Sequence, residues 1–143
     1  MTLFNRILVA VDISPEALPV LKKVAVLASE NQAQLCVMHV ANSPSSAYSQ
    51  WALHKTPVSE QEIESKLREK FRQLFRQVDL PEQEIEIVFG RPADHILDRA
   101  ESYSAELIVV GRNSRSGVRA LLGSTANAII NRADCDVLAL SAV

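Results

Sequence analysis

The sequence predicts an α/β domain of three layers, Rossmann-like, with a mainly parallel sheet covered by helices on both faces. Five short runs rich in Val, Ile and Leu recur along the 143 residues, and four of them are nearly continuously apolar. Strands buried on both faces read that way. Between the runs the apolar spacing changes from two to about 3.6 residues, and strand–helix alternation to the end of a chain is the pattern of parallel βαβ units.

The first run spans residues 6–11 and is followed by Asp12, a lone charge at its end. Ser14 is placed to cap a helix opening with Pro15 and Glu16, with Leu18, Leu21, Ala25 and Ala28 on one face. Residues 34–40 form the second run. Residues 41–58, rich in Ser and Pro and carrying Tyr48 and Trp51, are long for a loop and read as either a mobile segment or a functional flap. Ser59-x-x-Glu62 has capping-box spacing, and Ile63, Leu67, Phe71, Leu74 and Val78 then make an apolar stripe. The other faces of that helix carry Glu, Lys, Arg and Gln, a solvated surface.

The third run, 84–89, alternates Glu84, Ile85, Glu86 and Ile87, so one face meets water as on an edge strand. Gly90-Arg91-Pro92 is a tight turn into a helix with Ile96, Leu97 and Ala100 inward. Residues 106–110 are the fourth run. A last helix opens near Ser124, burying Ala126, Ile129, Ile130 and Ala133, before the final run at 136–140.

Composition bounds the function. Fifteen Lys and Arg against 17 Asp and Glu leave a net charge of −2, which removes the electrostatic case for a nucleic-acid binder. With 48% apolar residues the chain is a folding one, and the length suits a single domain over 1–143. No apolar run approaches the roughly 18–20 residues that span a bilayer. The start of the chain leads straight into a strand, not a signal peptide, so no membrane association is expected. Cys36 and Cys135 lie in apolar surroundings far apart and read as buried, reduced thiols.

Ligands of doubly wound sheets bind beyond the carboxyl ends of the strands, where the strand order reverses. The residues there are Asp12, Val40, Gly90-Arg91-Pro92, the segment Gly111-Arg112-Asn113-Ser114-Arg115-Ser116-Gly117, and Leu121-Leu122-Gly123-Ser124-Thr125. Glycines let backbone approach an anion, and helix-start amides seat a phosphate. Gly123-Ser124-Thr125 has that character, with Gly111 and Ser114 as the opposite wall, and Arg112, Arg115 and Arg119 gather positive charge beside it. A surface loop with an ordinary cap and solvated arginines fits the same residues.

These marks together resemble the universal stress protein family: Ile7 to Ser14, Leu35 to Val40, Gly90-x-Pro92, Gly111, Leu121 to Ser124, and Ala133 to Leu138, in order over the whole chain. The resemblance implies a five-stranded parallel sheet in the order 3-2-1-4-5, a homodimer through the last strand, a cytoplasmic role under stress and an unidentified protein partner. It further implies ATP or AMP in the crevice between the first and fourth strands, with Mg optionally accompanying the nucleotide. Carried over, Asp12 meets the adenine or ribose end and Val40 offers backbone to adenine. Val110, Gly111 and Ser114 run along ribose and phosphates, while Gly123, Ser124 and Thr125 receive the phosphates. The family's nucleotide motif has glycine where this chain has Ser114, and a loop one residue longer before Gly123. That departure leaves an alternative: a dimeric interaction module that binds no nucleotide, as in universal stress protein A.

Other chemistry lacks support. The chain has no P-loop, no Gly-x-Gly-x-x-Gly after the first strand and no nucleophile elbow. Catalysis beyond slow ATP hydrolysis is not expected, since no general base stands near the phosphate seat. His39 reads as a satisfied, largely buried histidine. His54 and His95, the latter beside Asp94 and Asp98, lack metal-ligand spacing.

Overall fold

The computed structural model describes residues 2–42, 59–80, 84–112 and 123–142. The readings of Tyr48, Trp51, His54, Ser114, Arg115 and Arg119, and of most of the flap, lie outside these. Five strands, β1 (Arg6–Ala10), β2 (Gln34–Ala41), β3 (Glu86–Phe89), β4 (Leu107–Gly111) and β5 (Asp136–Leu140), alternate with four helices. The helices are α1 (Ala17–Asn31), α2 (Glu60–Phe75), α3 (Pro92–Tyr103) and α4 (Ser124–Arg132).

All strand pairs are parallel and the sheet order is β3-β2-β1-β4-β5. The chain steps outward from β1 to β2 and β3, then crosses to β4 on the other side. The order therefore reverses between β1 and β4. Central β1 is sealed on both faces: Ile7, Leu8 and Val9 have no exposed surface. Ile7, Val9 and Val11 pack with Val20, Leu21 and Val24 of α1 and Phe71 of α2. Leu8, Cys36, Met38 and Ile108 face Ile96 and Ala100 of α3 and Ala126 and Ile129 of α4. Alternating side chains of one strand thus feed two cores. The Glu-rich third run is an edge strand, as its alternation implies.

Helix α1 begins later than its Ser14-Pro15-Glu16 signal suggests. The Ser14 carbonyl accepts from Ala17 N at 3.0 Å and closes a turn, so Glu16 stands at the N-cap without a side-chain cap bond. The sheet-facing set is Ala17, Val20, Leu21, Val24 and Ala28. Leu18 and Ala25 are half-buried, because Ala17, Val20, Leu21, Val24 and Ala28 already occupy the sheet-facing side of the helix. Ser59 caps α2 as its spacing predicts, Oγ accepting from Glu62 N at 3.2 Å. Only Phe71 of that stripe is sealed, and Val78 lies beyond the helix end. Pro92 opens α3, whose Ile96 and Ala100 are buried while Leu97 is partly so. In α4, Ile130 is 45% exposed, contrary to its apolar character, since Ala126 and Ile129 already fill the sheet-facing side.

Candidate functional site

The carboxyl ends of β1, β2 and β4 open into a cleft of about 540 Å³. Its floor is built by strand termini. Val11 N donates to Met38 O at 2.9 Å, which holds the exit of β1 against β2. Arg112 N donates to Leu140 O at 2.7 Å, so β4 remains paired to β5 past its last residue. Gly90 N donates to Ala41 O at 3.0 Å and brings the β3–α3 turn to the rim. These bonds fix the backbone where three strands stop, and the side chains that follow project into the opening.

Of the strand-end residues singled out in the sequence, Asp12, Val40, Pro92, Gly111 and Arg112 line this one cleft. Asp12 is exposed, as an acid must be to meet a ligand without a large desolvation cost. Gly111 leaves backbone bare beside Val20: an added Cβ would lie 3.8 Å from Val20 Cγ2, ordinary contact. Val110 does not line the cleft; it is 4% exposed, with its side chain in the core beneath. Gly123, Ser124 and Thr125 sit at the start of α4 and are not among the residues lining the cleft. Gly123 is the N-cap, its carbonyl accepting from Asn127 N at 3.0 Å, and Ser124 is exposed. The leading amides of α4 have no intrahelical acceptor, the general feature of helix starts that favours anions.

Sequence reasoning missed several residues here. Glu16 and Asn42 line the cleft, as do Ile63 and Leu67 of α2. The α2 pair belongs to a stripe that reads simply as packing. Their half-burial beside the sealed Phe71 shows that the stripe runs off the core and becomes a wall. His39 also borders the cleft; it is 7% exposed, and its Nδ1–H donates to the Val11 carbonyl at 2.7 Å. A carbonyl only accepts, so Nδ1 carries the proton. The reading of His39 as a satisfied, buried histidine therefore holds.

The cleft carries charge of both signs, with Asp12 and Glu16 at the β1–α1 exit and Arg112 beyond β4. A ligand with an uncharged polar end and an anionic end is oriented by that arrangement. Among the described residues no three His, Cys, Asp or Glu side chains are grouped to hold a metal, and no helix is long and apolar enough to cross a membrane.

A parallel five-stranded sheet with a cleft at its reversal point defines a Rossmann-like α/β protein with a crevice for a small ligand. The chain belongs to the universal stress protein family, whose sequence profile matches residues 3–141. It is 36% identical over 138 residues to universal stress protein A homolog 1 of Coxiella burnetii, covering 96% of both chains. Among solved structures it resembles a universal stress protein in complex with cAMP, with a TM-score of 0.68, 22% identity and 98% of each chain covered. It also resembles the universal stress protein from Archaeoglobus fulgidus in complex with dAMP. That match has a TM-score of 0.62 and 24% identity over 94% of this chain and 96% of the other.

Proposed function

We propose that this chain is an adenine-nucleotide-binding stress protein, taking ATP or AMP and acting as a sensor or regulator. The observation that carries the reading is the meeting of Asp12, Val40 and Gly111 in one cleft at the β1/β4 reversal. Asp12 hydrogen-bonds the ribose or the exocyclic amine. Val40 offers backbone to adenine, with Ile63 and Leu67 supplying the apolar wall. The phosphates run past Gly111 and Arg112 toward Gly123, Ser124 and Thr125, and Ser114 lies in the connecting segment. The relatives solved with cAMP and dAMP hold adenine nucleotides on the same fold, which supports the choice of ligand.

Mg, when present, arrives with the phosphates. Asp12 and Glu16 are the carboxylates the cleft offers, fewer than a dedicated protein cage uses, and Mg readily keeps its waters and binds through phosphate oxygens. No residue in the cleft is assigned to hydrolysis.

Acid extraction of the purified protein, followed by nucleotide chromatography, tests the reading. It predicts recovery of an adenine nucleotide, or a melting temperature that rises with added AMP or ATP by mass action. Failure of both would favour the dimeric interaction module without nucleotide. Ser114 in place of the family's second glycine is the residue that speaks for that module.

A further inference from the structure

We propose that His39 is the positioning residue of the cleft: its Nδ1–H holds the Val11 carbonyl and so sets the direction in which Asp12 leaves β1. The proposal rests on the nucleotide reading only for what the cleft binds.

His39 is the one polar side chain buried to this degree among the described residues, and burying an imidazole is costly unless its hydrogen bonds are made. Its 2.7 Å bond goes to the residue immediately before Asp12. Both backbone polar groups of Val11 are held, since Val11 N donates to the carbonyl of Met38, the residue preceding His39. Two adjoining residues of β2 therefore grip one residue at the β1 exit. That grip is local to the reversal point. The His39 ring also packs on Phe71, 5.2 Å between centroids, and Phe71 is fully buried one turn beyond the cleft-lining Leu67 on α2. One side chain thus touches the strand exit that carries Asp12 and the helix that walls the cleft. With Nδ1 committed to Val11, the donor is the working part of the ring.

Two substitutions separate donor from ring. His39→Phe keeps an aromatic ring against Phe71 and loses the donor. His39→Asn loses the ring and places an amide N–H near the position of Nδ1. The proposal predicts that His39→Phe weakens AMP binding to the full chain at least ~10-fold, while His39→Asn stays within ~3-fold of the parent. In the ligand-free protein, exchange of the Val11 amide should quicken at least ~10-fold in His39→Phe, with Val109 unchanged. Nitrogen NMR of the unmodified protein should show Nδ1 protonated.

A proton on Nε2 alone, or unchanged Val11 exchange in His39→Phe, would overturn the proposal whatever AMP does. Undiminished AMP affinity in His39→Phe would overturn it too. If Val11 exchange quickens while no form of the protein binds AMP, the nucleotide reading fails and His39 stands as the residue that positions Asp12.

Discussion

Cys36 and Cys135 look alike in the sequence, each a thiol in an apolar run, yet their surroundings differ. Cys36 is buried and free, and burial followed by the charge of Glu86 pushes its thiol up to about 11. Glu86 is itself held below the usual carboxylate range by the guanidinium of Arg99, which grips it at 2.7 and 2.8 Å. Cys135 is half-buried, and its thiol is raised by burial and then by Asp136 and Asp134. Both are poor nucleophiles, and access decides between them. An aromatic disulfide reagent at pH 8 should therefore modify Cys135 first and Cys36 only as the domain opens. Two thiols reacting equally fast would contradict this. The partial exposure of Cys135 was not legible, because the residue stands in the turn between α4 and β5 and not inside the strand that its apolar run suggests. The lone acid after an apolar strand was legible at Asp12, where the side chain needs no tertiary partner to be recognised. Glu16 was not, because in sequence it reads as a favourable first-turn residue and only the late start of α1 turns it to the cleft.

At the scale of elements, Gly90 shows why a short motif can be read correctly. Its φ of +139° lies where side chains are strained, and an added Cβ would stand 2.6 Å from His95 Nε2. Pro92 two residues later fixes the start of α3. The turn needs glycine for both backbone and space, so Gly-x-Pro signals it without any knowledge of the fold. Gly90→Ala should destabilise the protein by about 1–3 kcal/mol in a denaturant titration, from backbone strain and the displaced imidazole. A loss below ~0.5 kcal/mol would show that the turn relaxes freely. Helix faces were harder. The apolar positions of α1 and α4 outnumber the sites on the sheet, and packing decides which of them face it. Leu18, Ala25 and Ile130 were thus placed inward by period alone, whereas the Ser59 box was secure because its partners are three residues apart.

At the scale of the molecule, the strand number and the edge character of β3 followed from residue pattern, and the order of strands followed from family resemblance. The cleft itself was only half legible. Strand ends are local features, but the wall from α2 and the place of His39 depend on how distant elements meet. The last strand carries a further consequence. Val137, Leu138, Ala139 and Leu140 are only partly buried, unlike the sealed residues of β1, and β5 has no outer strand neighbour among the described residues. An apolar edge of that kind needs a cover. We propose a homodimer through β5, and light scattering should give twice the monomer mass across dilution. A concentration-independent monomer would contradict it.

The nucleotide reading is tested most directly by calorimetric titration of AMP into the protein and into Gly111→Val. Gly111 has no positive φ, and an added Cβ meets nothing closer than Val20 Cγ2 at 3.8 Å, so the substitution is expected to change the melting temperature little while filling the cleft. The prediction is saturable binding of one AMP per chain, weakened at least ~10-fold in Gly111→Val, a loss of about 1.4 kcal/mol or more. Absence of saturable binding in the parent protein, or equal binding in the variant, would contradict the account.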